Sequence, residues 1–329
     1  MPFDVAMPLT LLVVTAVAVL LDKRVERKLK FNLGEREFQL RDAVLLVVGI
    51  GVMVSLIIFI PQTAVMTVFL FSYSMLLFMF AYLFSDIQNR TAQYFFSGYI
   101  LFSFVFATLS LISFGVVSTV VYGALGFYCL IAFAFIALLY EGIRLSSEER
   151  WYLAVLPPVS FILLYLFFGR TPIWFPYVLD VFGVIFAVLI TLYLGSLFTW
   201  KTSLVFVTLL TAADIFLVLF TGSMVSAARH VSGLRLPVLI SLPAIPTILT
   251  EWGLLYMSLG LGDFFFAGLI GIQTLRRFGT KTAFISLVLM SVSFFVFEFF
   301  MLNSNLSAFP GTLMIICGWI PILLWKGIR

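Results

Sequence analysis

Apolar runs of about 20 residues recur from one end of this chain to the other, each long enough to cross a bilayer as a helix. Short polar connections separate them. The pattern predicts about eleven spans, over 5–21, 43–61, 64–85, 94–113, 117–140, 153–169, 177–195, 203–221, 254–275, 282–301 and 309–325. The expected fold is therefore all-α and polytopic.

Composition agrees with that pattern. Of 329 residues, 63% are hydrophobic and 10% charged, whereas a soluble domain carries about 25% charged residues. Lipid must serve as the solvent. The 39 Phe residues suit packing and lipid-facing surface and carry no chemistry of their own. Leu11–Leu21 lacks a basic stretch before it and a small-residue cleavage site after it, so it reads as a retained helix rather than a cleaved signal.

Charge placement adds an orientation. The net charge of +4 lies between the apolar runs, which argues against a nucleic-acid partner. With the N-terminus outside, sixteen of the 19 Lys and Arg residues fall on inside loops, and only Arg170, Arg229 and Arg235 fall outside. The C-terminus is then cytoplasmic. Cys129 and Cys317 sit inside apolar segments and the single histidine, His230, lies in a loop. No metal site, cofactor or disulfide framework is expected.

Two connections stand out. The stretch 22–42 mixes both signs of charge and reads as a solvated cytoplasmic linker. The outside segment 222–253 is apolar in its second half, and Pro237, Pro243 and Pro246 exclude a regular helix there. An apolar, irregular segment of that kind is expected to dip into the interface or cover something.

The candidate chemistry is a set of acids. An ionisable residue at bilayer depth costs roughly 3 kcal/mol or more and is functional by default. Asp180, Asp214, Asp263 and Glu298 fall within the spans, and no Lys or Arg lies in the middle of any of them. Asp214 and Asp263 each sit near the middle of consecutive, antiparallel spans and can face each other. Two facing carboxylates in low dielectric cannot both ionise easily and share a proton. One can act as base toward water and the other as acid toward a peptide carbonyl. Gly260 and Gly262 precede Asp263 and remove side-chain bulk, which lets a backbone approach and a neighbouring helix pack closely. Asp180 reads as a hydrogen-bonding residue near an outer helix end, with a supporting role beside the pair as the sharper alternative. Glu298, near the outer end of its span, is expected to reach the interface.

At these residues the chain resembles the GxGD intramembrane aspartyl proteases, which include presenilin, signal peptide peptidase and their archaeal homologues. Gly260-Leu261-Gly262-Asp263 matches the second aspartate motif. Asp214, Val218, Thr221 and Met224 match the spacing of the first, although Ala213 stands where the family usually has Tyr. Residues 174–184, with Asp180 and Gly183, resemble the family's fifth helix, and 236–243 its segment after the sixth. Pro310-Gly311-Thr312 stands where the family has Pro-Ala-Leu, a motif that packs near the aspartates and affects substrate recognition.

The resemblance implies a presenilin-like nine-helix core over 64–329, with 1–63 as a two-helix N-terminal addition. It implies an aspartic-type endopeptidase in a prokaryotic, archaeal cell membrane, with Asp214 and Asp263 as catalytic residues and Gly260 and Gly262 shaping the site. Pro310, Gly311 and Thr312 become candidate substrate contacts, and a transmembrane peptide segment the substrate. The orientation is that of signal peptide peptidase. Prepilin peptidases share a GxGD motif, but Asp86 lies 177 residues before Asp263, too far for their compact arrangement. A catalytically silent homologue and a proton-coupled transporter are the alternatives, since buried acids also mark ion pathways.

Overall fold

The computed structural model describes residues 2–33, 37–113, 118–143, 149–250, 253–304 and 309–327. Among them, the helices in chain order are α1 (Ala6–Leu33), α2 (Leu40–Leu56), α3 (Gln62–Leu83), α4 (Asn89–Ser113), α5 (Ser118–Ile143), α6 (Trp151–Phe168), α7 (Leu179–Leu197), α8 (Trp200–Ile215), α9 (Ser223–Ser232), α10 (Leu261–Phe278), α11 (Thr280–Asn303) and α12 (Gly311–Gly327). Nine helical stretches are long and apolar enough to cross a membrane. Helices α10 and α12 are not among these nine, against the eleven spans expected; α10 carries Asp263, Arg276 and Arg277, and α12 has 17 residues. The protein is a helical, multi-pass membrane protein. Exposed Leu, Val and Phe side chains along α2, α4 and α5 suit a lipid-facing surface.

Three local features depart from the hydropathy reading. The first helix does not stop near residue 21 but continues to Leu33 through half of the charged linker. Charge does not break a helix when its partners lie one turn apart, as Glu26 and Lys30 do at 3.0 Å. The linker's end is also anchored, with the Phe38 N–H donating to the Leu197 carbonyl at 2.8 Å.

The second departure is β-structure. Strand β1 (Leu239–Pro243) pairs antiparallel with β4 (Tyr256–Gly260), and β2 (Leu249–Thr250) pairs with β3 (Gly253–Leu254). Apolar runs alone cannot separate a short buried strand from the start of a helix. Residues 254–260 therefore read as helix from sequence and are largely strand. The third follows from the second: α10 begins at Leu261 rather than 254.

The chain forms two compact units, Met1–Met66 with Pro176–Arg329, and Thr67–Phe175. Helix α1 belongs to the same unit as α7 through α12. In that first unit α10 is the central helix, buried at every residue from Phe264 to Leu275. Helices α1, α7 and α11 pack against it. The Asp22 carboxylate of α1 accepts two hydrogen bonds from Arg276, at 2.8 and 3.1 Å. Asp4 caps the start of α1, accepting from the N–H groups of Ala6 and Met7, and takes a third from Ile245 at 2.8 Å.

The second unit is held near one end by Arg150, which is fully buried. Its guanidinium donates to Glu141 at 2.9 Å, to Asn89 at 2.7 Å and to the carbonyls of Ser85 and Ile87. Tyr152 donates to the same Glu141 oxygen. Sequence reading placed Arg150 in a loop and ended the span before Glu141, so this buried pair was not foreseen.

Helices α11 and α12 cross closely at Gly318. A Cβ there would lie 2.6 Å from the Met290 Cα and 2.7 Å from the Leu289 carbonyl carbon. Backbone cannot yield as a flexible side chain does, so Gly318→Val is expected to destabilise by about 1–3 kcal/mol. A thermal melt of the purified protein in detergent measures this. An unchanged midpoint would mean that the crossing has room to spare.

Candidate functional site

Asp214 lies at the end of the regular part of α8. The next turn, Phe216–Phe220, winds as a π-helix, a widening often found at functional sites. The chain then breaks at Gly222, whose φ of +65° is left-handed, and α9 begins. These wide and broken turns aim Val218 and Met224 toward the same cavity as Asp214.

Asp263 occupies the first turn of α10, three residues beyond the N-cap Gly260, and not mid-span. Strand β4 runs directly into this helix, so Gly260 and Gly262 form a strand-to-helix junction. The Gly260 backbone lies close to the Asp263 carboxylate, on the side to which an acid at this helix position reaches back. Gly262 is exposed, and a Cβ on it would meet nothing within 4 Å. The close helix packing expected at Gly262 is therefore absent.

That close approach falls instead on Gly311. A Cβ built there would lie 2.5 Å from Oδ1 of Asp263 and 2.8 Å from its Cγ. The next residue, Thr312, donates to Oδ2 of Asp214 through its hydroxyl at 2.6 Å and its N–H at 3.2 Å. The first turn of α12 thus touches both carboxylates. Asp214, Asp263 and Gly311 line one cavity of about 430 Å³, together with Met257 of β4. Pro310 is buried immediately before α12. Among the described residues, no group of three or more His, Cys, Asp and Glu side chains is placed to hold a metal ion.

The structure places the remaining acids differently. Asp180, in the first turn of α7, accepts the Ser241 N–H of β1 at 2.8 Å. It anchors the strand that pairs with β4 and so supports the junction carrying Asp263. Glu298 does not reach the interface. It is 1% exposed and lines the same cavity as the two aspartates. The cause is local: it faces inward from α11, and the N-terminal segment lies over that end, with Asn303 donating to the Pro2 carbonyl at 3.0 Å. Arg229, in the last turn of α9, also lines the cavity. Neither Glu298 nor Arg229 was singled out as a site residue from sequence. For Glu298 the only signal was the cost of an acid in an apolar run.

No family model, curated protein or solved structure matches this chain.

The Asp180–Ser241 bond gives a direct test of how the hairpin is held. Asp180→Ala leaves a buried N–H without its acceptor, which costs about 1–3 kcal/mol. Faster amide exchange at Ser241 and a lower melting temperature are expected. Unaltered exchange at Ser241 would show that the carboxylate contributes nothing to β1.

Proposed function

We propose that this protein is an intramembrane aspartyl endopeptidase that hydrolyses peptide bonds within transmembrane segments. The observation that carries this reading is the double contact of α12: Thr312 holds Asp214 while Gly311 abuts Asp263, and both acids open onto one cavity. Thr312 occupies Oδ2 of Asp214 and leaves Oδ1 for water. In the proposed reaction, one carboxylate takes a proton from water as the water oxygen attacks the scissile carbonyl. The other gives its proton to the carbonyl oxygen. The resulting gem-diol collapses as the first proton passes to the leaving amine, one of its hydroxyls returns a proton to the second carboxylate, and the C–N bond breaks. Gly260 and Gly262 set the position of Asp263 at its junction. No metal or cofactor takes part.

The GxGD resemblance supports the same reading and extends it. The presenilin-like core and the orientation of signal peptide peptidase belong to this proposal, with the N-terminus outside and the C-terminus in the cytoplasm of an archaeal cell. The lipid bilayer and a transmembrane peptide are the partners.

The test is cleavage of helical peptides by the reconstituted protein. Asp214→Ala and Asp263→Ala are each expected to abolish it, and cleavage surviving either change would eliminate the pair as catalyst. Proton flux without cleavage by the wild type would favour the transporter alternative. Gly311→Ala forces Asp263 aside, and misplacement of a reacting group by about 1 Å can cost roughly 100-fold in rate. Its kcat is expected to fall by about that factor with the fold intact.

Orientation has its own test. Substrates with their N-terminus on the cytoplasmic side are expected to be cut in preference to inverted ones. The opposite preference in vesicles of known sidedness would overturn the assignment.

A further inference from the structure

The cavity that holds the two aspartates contains a third acid that neither the proposed reaction nor the fold uses. Glu298 projects from α11, is 1% exposed, and lines the cavity. Its Oε2 is buried and has no hydrogen-bond partner among the described residues. Buried polar atoms in folded proteins nearly always have a partner, so one without needs an explanation.

The neighbours do not supply that partner. Asp4 interacts electrostatically with Glu298, but no hydrogen bond joins it to Oε2; its oxygens accept N–H groups from Ala6, Met7 and Ile245. Asp214 is held by Thr312, and Asp263 lies close to the Gly260 backbone. Arg229 lines the same cavity, but it is exposed. Glu298 therefore lines the cavity while one of its buried oxygens is satisfied by none of the described residues.

We infer that Glu298 is a specificity-determining residue that accepts a hydrogen bond from the transmembrane segment bound in this cavity. The inference rests on the protease reading for the identity of that segment. Two parts of such a segment carry the required donor: a polar side chain, or a backbone N–H freed where the bound helix unwinds. An ordinary apolar helix offers neither, because its N–H groups are internally bonded. Selection by Glu298 therefore favours segments that bring a donor to this position.

The experiment uses the full-length protein in liposomes and apolar helical peptides of about 20 residues with a photoreactive group. One series places Asn at successive positions in a Leu-rich parent. A second replaces successive amides by esters, which removes one N–H at a time. Binding is read by crosslinking yield, and cleavage is read separately on the same peptides. Wild type is expected to favour Asn at one position, or to lose binding at one ester position, by roughly three- to ten-fold, the range one hydrogen bond supplies. Glu298→Leu is expected to erase that dependence. Glu298→Met removes the carboxylate with a different shape and serves where the first variant does not fold. Glu298→Gln keeps an acceptor oxygen and should retain the dependence.

A dependence that survives both Glu298→Leu and Glu298→Met overturns the inference, as does a flat profile in the wild type. Position-dependent binding lost in these variants, with no cleavage by any protein, keeps the Glu298 subsite and sinks the protease reading. Cleavage with a flat binding profile does the reverse.

Discussion

A carboxylate at membrane depth is costly unless the protein supplies what water would have supplied. The polar groups of this chain are arranged around that cost. Asp4 takes three backbone N–H groups, Asp22 takes Arg276, Asp180 takes the Ser241 N–H, and Asp214 takes both donors of Thr312. In the second unit Glu141 takes Arg150 and Tyr152. Each bond joins segments distant in sequence or fixes a helix start. Satisfying the acids therefore also fixes the position of the elements that supply the donors.

Asp263 and Glu298 are the exceptions in degree. Asp263 has the Gly260 backbone beside it, and Glu298 has an oxygen with no partner among the described residues. Both line the cavity. The least satisfied acids thus lie where a bound segment or water could complete them. Glu141 also keeps one buried oxygen without a partner, but its other oxygen takes both Arg150 and Tyr152.

Much of the fold was legible because lipid imposes a simple rule: a spanning helix must be long and apolar. Nine of the described helices obey that rule, and Asp214 and Asp263 stand out because acids violate it. What hydropathy could not read is which side of an apolar helix faces protein. Helix α11 is apolar all round, so nothing in its sequence says that Glu298 turns inward. Helix α1 looks like a peripheral addition, yet Asp22 and Asp4 tie it to α10 and to the segment before β2. The strand before Asp263 was hidden because Tyr256–Gly260 is as apolar as a helix start. Locating that strand changes the meaning of Gly260 and Gly262, from helix-packing residues to the hinge of a junction.

The same geometry bears on the departure at 310–312. In the resembled family the second position is Ala and the third Leu. Here an Ala at 311 would place its Cβ 2.5 Å from the Asp263 carboxylate, which would have to shift to admit it. A Leu at 312 would remove the hydroxyl that meets Asp214 at 2.6 Å. The two differences are therefore coupled: loss of bulk at 311 lets α12 approach one acid, and gain of a hydroxyl at 312 binds the other. Within the protease reading, a divergent triplet of this kind is a compensated variant of the motif. Gly311 and Thr312 each bring the start of α12 into contact with one of the two acids.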